Sequence, residues 1–145
     1  MAPQKLKVTK VLSKKDRKKI ADPLIAYNVA RFGESGREKL AIRLRGDDGE
    51  INGGLVGYTA RDWLYIEMLF IPEEMRGKGL AGTLLQMAED ESKRRGCIGA
   101  FIDTMSPDAL GVYRRYGYET IGSLGEFAGG HTFTWLKKRF QPSEA

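Results

Sequence analysis

Along residues 5–12, KLKVTKVL, Leu6 and Val8 alternate with polar neighbours, a period of two that predicts a first strand. Ser13 stands three residues before Asp16 and predicts a capped short helix. Asp22 and Pro23 then read as N-cap and first position of a second helix, with Leu24, Ile25, Val29 and Phe32 as its apolar face and Gly33 as its end. EKLAIRLRG predicts a strand, DDG a turn, and EINGGLVGYTA the hairpin partner, in which Gly53 and Gly54 mark a bulge or a close backbone approach. WLYIEMLFI shows no alternation, which predicts a central strand covered on both faces. After a loop over residues 72–79, Leu80, Leu84, Met87 and Ala88 recur at helical spacing until Gly96. CIGAFIDT predicts a strand, SPDALGVYRRYG a short helix, and YETIGSL and HTFTWLKKRF the last two strands. The predicted order is β-α-α-β-β-β-α-β-α-β-β, one α/β domain over residues 1–145 around a mixed sheet.

Composition narrows the class of protein. The chain has 145 residues, enough for a core without disulfide or metal staples, and its 41% hydrophobic and 30% charged residues are ordinary for a globular protein. Cys97 is the single cysteine, so a disulfide framework and a Cys-based metal site are both excluded, and a reducing cytoplasm is the expected compartment. The N-terminus has no apolar leader, and the nine-residue run WLYIEMLFI contains Glu67 and is too short to cross a bilayer. The net charge of +5 is uneven: residues 1–19 hold eight Lys/Arg against Asp16 alone, so the rest of the chain is slightly acidic. That basic segment could hold nucleic acid or an acidic protein. It carries no aromatic residue for base stacking, which favours a solvated face instead.

The chemistry concentrates after the central strand. Gly77, Gly79 and Gly82 spell G-x-G-x-x-G, and Arg76, Gly79 and Ala81 spell R-x-x-G-x-A. A dinucleotide-binding turn would follow its strand almost directly, yet five residues separate Ile71 from Gly77, and too little chain remains for a doubly wound sheet. A triphosphate P-loop is excluded because no Lys-Ser or Lys-Thr follows the glycines. What the spellings share is anion binding at a helix start. Glycines admit a ligand to the backbone, the free amides of the first turn point at it, and Arg76 and Lys78 add charge. His131 is the only histidine and no G-x-S-x-G elbow exists, so a hydrolase triad lacks support.

The segment LFIPEEMRGKGLAGTLL resembles the acyl-CoA pyrophosphate loop of the GNAT N-acetyltransferase superfamily, [QR]-x-x-G-x-[GA], met here by Arg76, Gly79 and Ala81. SPDALGVYRRYGYE resembles the superfamily's second motif through Ala109, Tyr113, Gly117 and Tyr118. The resemblance implies a GNAT-like fold with splayed strands in a mixed central sheet flanked by helices. It implies acetyl-CoA as donor, with no metal, its pyrophosphate held by Arg76, Gly77, Lys78, Gly79, Leu80, Ala81 and Gly82. The pantetheine arm would pair with Leu69, Phe70 and Ile71, near an amide that stabilises the oxyanion. Ser106 stands where the family commonly has a cofactor-contacting Asn. Tyr113 is then the expected general acid, since a phenol with a pKa of about 10 stays protonated until a thiolate develops. Glu67, a carboxylate inside an apolar run, is the expected base, or else a paired structural acid. Asp103 would cap the helix after Ser106 or face the acceptor, His131 is read as structural, and Tyr27 and Asn28 as acceptor wall or core. The expected reaction is direct attack, in a ternary complex, by a small-molecule amine or by a protein N-terminus or lysine. A homodimer is compatible with this reading. A catalytically silent binding module that uses its basic N-terminal segment is the alternative.

Overall fold

The computed structural model describes residues 4–141, and contacts divide the chain into two compact units, residues 1–35 and 36–145.

In the first unit Ser13 behaves as the capping pattern predicts, its Oγ accepting the Asp16 amide at 3.0 Å. The helix it opens, α1 (Lys14–Phe32), is a single element, so Asp22 and Pro23 do not start a second one. A proline inside a helix removes one backbone bond. Most of the flanking residues, Lys, Arg, Ala and Leu among them, are good helix formers that carry the helix across that gap. Gly33, at φ 80°, ends it as expected, with its amide bonded to the Val29 carbonyl at 2.8 Å. The strand predicted over residues 5–12 is absent: Thr9 Oγ1 accepts the Val11 amide at 3.0 Å in a local turn.

The second unit is a six-stranded sheet: β1 (Glu38–Arg45), β2 (Ile51–Ala60), β3 (Trp63–Phe70), β4 (Gly99–Thr104), β5 (Glu119–Phe127) and β6 (His131–Arg139), ordered β1-β2-β3-β4-β6-β5. Only β3 and β4 are parallel, and α2 (Leu80–Arg94) crosses between them, while α3 (Pro107–Arg115) follows β4. The turn from β2 to β3 has two residues, Arg61 and Asp62, both at positive φ as the twist of a tight hairpin demands. Leu84, Leu85 and Ala88 of α2 share one buried cluster with Leu64, Ile66, Ala100, Ile102 and Leu136 of the sheet. Gly53 is explained by close approach, because a Cβ there would stand 2.5 Å from the Phe70 carbonyl oxygen.

One departure from the predicted pattern shapes the site. In β3, Met68 pairs with Val56 and Ile66 with Gly57, so Glu67 is the extra residue of a bulge. Pairing with β4 stops at Ile66↔Ile102, although β4 continues along β6 as far as Thr104↔Thr134. Beyond Ile66 the two parallel strands therefore part, as expected of a splayed sheet. The expectation that β3 is covered on both faces fails there: Glu67, Met68 and Phe70 are exposed. Among the described residues no helix is long and apolar enough to cross a membrane.

Candidate active site

The end of β3 leads into the glycine loop through a buried Pro72 and one 3-10 turn, Glu73–Met75. Arg76 is exposed at its rim, yet its Nε donates to the Ile71 carbonyl at 2.8 Å and its guanidinium lies 5.7 Å from the Phe70 ring centre. The loop is thus tied back to the strand that precedes it.

The three glycines serve two purposes. Gly77 and Gly79 lie in the left-handed region, at φ 78° and 76°, where other residues are strained, and a Cβ on either would meet open space. Gly82 is glycine for packing, since a Cβ there would collide with the Tyr116 ring. Gly79 is the N-cap of α2 and offers no side chain to the orphan amides of the first turn. Both the amide and the hydroxyl of Thr83 donate to the Gly79 carbonyl, at 3.1 and 3.2 Å. Among the described residues none of the amides of residues 77–82 donates to a protein acceptor. Lys78 is exposed, while Leu80 and Ala81 pack on the core. Gly79, Gly82, Thr83, Gln86, Met87 and Tyr116 line a groove of about 410 Å³ beside this helix start. An exposed cluster of amides on a helix axis, rimmed by cations, is a site for an anion as extended as a diphosphate.

Tyr113, on α3, is buried, its ring 6.3 Å from that of Tyr118. Its hydroxyl has no hydrogen-bond partner among the described residues. Burial, and then the charge of Asp103, push the phenol above its ordinary pKa, so it is protonated at neutral pH. Ser106 is the N-cap of α3: its Oγ accepts the Ala109 amide at 3.2 Å, and its own amide donates to Thr104 Oγ1 at 3.0 Å. That leaves the Ser106 hydroxyl its proton and one lone pair to offer a ligand. Glu67 is exposed on its bulge and, among the described residues, neither paired nor hydrogen-bonded, so no burial cost attaches to it.

Two further groups belong to the same region. Tyr65 Oη donates to Asp103 Oδ2 at 2.9 Å, and the cap of α3 is Ser106, not Asp103. Burial first, then this hydrogen bond and the charges of Asp103 and Glu67, push Tyr65 up to about 12. The Tyr65 ring stacks on Phe101 at 4.7 Å and meets Tyr58 edge-on at 5.6 Å. Sequence reasoning passed over Tyr65, although its place two residues before Glu67 on a strand was a usable signal. Its pairing with Asp103 depends on β3–β4 register and had no signal at all. Beneath the site, Glu89 is buried between Lys138, at 2.7 Å, and the Tyr118 hydroxyl, at 3.0 Å. His131 is exposed at the start of β6, and Tyr27 is exposed on α1.

The chain is similar to known proteins over most of its length. Residues 47–139 match the acetyltransferase (GNAT) domain. The chain belongs to the GNAT N-acetyltransferases. It is 60% identical over 123 residues to the acetyltransferase Atu2258 of Agrobacterium fabrum, covering 85% of this chain and 90% of that one. A solved structure from Agrobacterium tumefaciens superposes with a TM-score of 0.89 at 55% identity, covering 94% of this chain and all of the other. The blasticidin-S acetyltransferase of Streptomyces morookaense is 36% identical over 94 residues, 64% of this chain and 69% of that one. The GNAT match contains the glycine loop, Glu67, Tyr65, Asp103 and Tyr113, and leaves α1 outside. The expected acetyltransferase identity and mixed sheet therefore stand, and the G-x-G-x-x-G spelling is no dinucleotide turn.

Proposed function

We propose that the chain moves an acetyl group from acetyl-CoA to a primary amine by direct attack in a ternary complex. The observation that carries this reading is the uncommitted row of amides over residues 77–82, at the helix start that follows the parting of β3 from β4. Acetyl-CoA supplies the activated thioester. Arg76, Gly77, Lys78, Gly79, Leu80, Ala81 and Gly82 would hold its diphosphate, Ser106 a further part of it, and Leu69, Phe70 and Ile71 its pantetheine arm.

A primary ammonium gives up two protons on becoming an amide, as the new C–N bond forms and the C–S bond breaks. Tyr113, protonated and without a hydrogen-bond partner among the described residues, gives its proton to the departing sulfur and regains one from the amine. The other goes to solvent through Glu67, exposed on its bulge and unpaired among the described residues. Cys97 is no acyl carrier: burial pushes its thiol up, which suppresses the thiolate. A small-molecule amine is the favoured acceptor, in line with the antibiotic named for the Streptomyces relative; a protein N-terminus or lysine is the competing class.

Thermal shifts with acetyl-CoA, NADH and ATP side by side test this. Acetyl-CoA at 100 times its Kd is expected to add about 2.7 kcal/mol, with no effect of the others. Stabilisation by NADH but not by acetyl-CoA would overturn it.

A further inference from the structure

The sheet face turned away from α2 has a composition of its own. Leu64 and Ile66 of β3, and Ala100 and Ile102 of β4, are buried on the α2 side. The alternate residues Trp63, Tyr65, Phe101 and Asp103 therefore share the opposite face. Register adds Trp135, across from Asp103, and Tyr58, across from Tyr65. These residues are half-buried, and past the bulge Met68 extends the face as an exposed apolar side chain. It is an aromatic floor that ends, where β3 and β4 part, at two carboxylates, Glu67 and Asp103. Cations are in register on this floor as well: Lys39 opposite Tyr58, Arg139 opposite Gly99, and Lys137 opposite Phe101, the last 3.9 Å from Glu119.

Within that floor the Tyr65–Asp103 pair is directional. The phenol donates to Asp103 Oδ2, whereas Oδ1 has no partner among the described residues. Asp103 also acts on the Tyr113 phenol through its charge, so it lies within electrostatic range of the proposed acid. The floor is able to stack planar cations: the Arg37 guanidinium already lies 3.8 Å from the Tyr58 ring centre. Its polar complement is small. Tyr58, Tyr65, Phe101, Trp135 and Met68 present few donors and acceptors to a polyhydroxylated body or a peptide backbone.

We infer that Tyr65 and Asp103 form the acceptor anchor, Asp103 Oδ1 receiving the ammonium of a monocationic primary amine whose planar or apolar body lies on Phe101 and Trp135. This rests on the acetyl-transfer reading and adds the acceptor class to it. Tyr65 is a positioning residue that fixes the carboxylate, and Asp103 is the group that touches substrate.

The experiment is steady-state CoA release by the full chain at saturating acetyl-CoA, with tyramine, phenethylamine, putrescine, kanamycin and a free tripeptide. Titration calorimetry of acetyl-CoA accompanies each variant. The arylalkylamines are expected to give the highest kcat/KM. Asp103→Asn should raise their KM tenfold or more, with kcat within threefold and acetyl-CoA affinity unchanged. Tyr65→Phe should raise KM less, in the same direction. Preference for kanamycin or the tripeptide, an unmoved KM in Asp103→Asn, or a fall in kcat alone would overturn the inference. Failure of acetyl-CoA to bind the wild-type chain would instead sink the acetyl-transfer reading, and this inference with it.

Discussion

Tyr113 combines burial, a raised pKa and a hydroxyl with no protein partner, and each bears on what it can do. With no protein acceptor for it among the described residues, the phenol proton is available to a ligand. Tyr113→Phe is expected to lower kcat by about 10²-fold while acetyl-CoA affinity stays put, as stopped-time turnover and calorimetry would show. Tyr65 offers a second residue-scale test. Its folded pKa is raised from 10.0 to about 12, so the native state holds its proton where the unfolded chain has lost it. The stabilisation is therefore complete below pH 10 and disappears as pH climbs from 10 to about 12. Melting curves across that window should fall more steeply for the wild type than for Tyr65→Phe, and parallel curves would contradict the assignment.

At the scale of elements, the glycine loop works because a strand end and a helix start are fastened to each other. Arg76 bonds the Ile71 carbonyl, Gly82 lets the Tyr116 ring approach α2, and Ser106 caps α3 close to β4. The far side is held by the buried Glu89, which joins α2 to Lys138 of β6 and to Tyr118 just after α3. Removing one partner of a buried pair leaves an uncompensated charge. Lys138→Met should destabilise the fold by about 3 kcal/mol, the low end for such pairs because Lys138 keeps some contact with water. The double variant with Glu89→Gln should recover much of that loss in urea melts. Additive losses would show that the pair is not coupled.

For the whole molecule, element types were legible in the sequence wherever one period dominated. The capping pattern at Ser13, the helix from Leu80, the EKLAIRLRG and EINGGLVGYTA hairpin and the closing strands all form as read. Two readings failed for the same reason, that a local signal was outvoted by its neighbours. Alternation at Leu6 and Val8 makes no strand without a partner ladder, and Pro23 does not end a helix surrounded by strong helix formers. The loop chemistry was legible because orphan amides, glycine freedom and cations are properties of a short contiguous stretch. Sequence by itself thus determined the strand-loop-helix that presents bare amides, together with the family motifs at Arg76 and Tyr113. Only the tertiary structure decided that Glu67 is an exposed bulge residue, that β3 and β4 part beyond Ile66, and that Tyr65 meets Asp103. Those facts depend on register between strands distant in the chain, and a register is set by the packing of the whole sheet, which no single segment encodes.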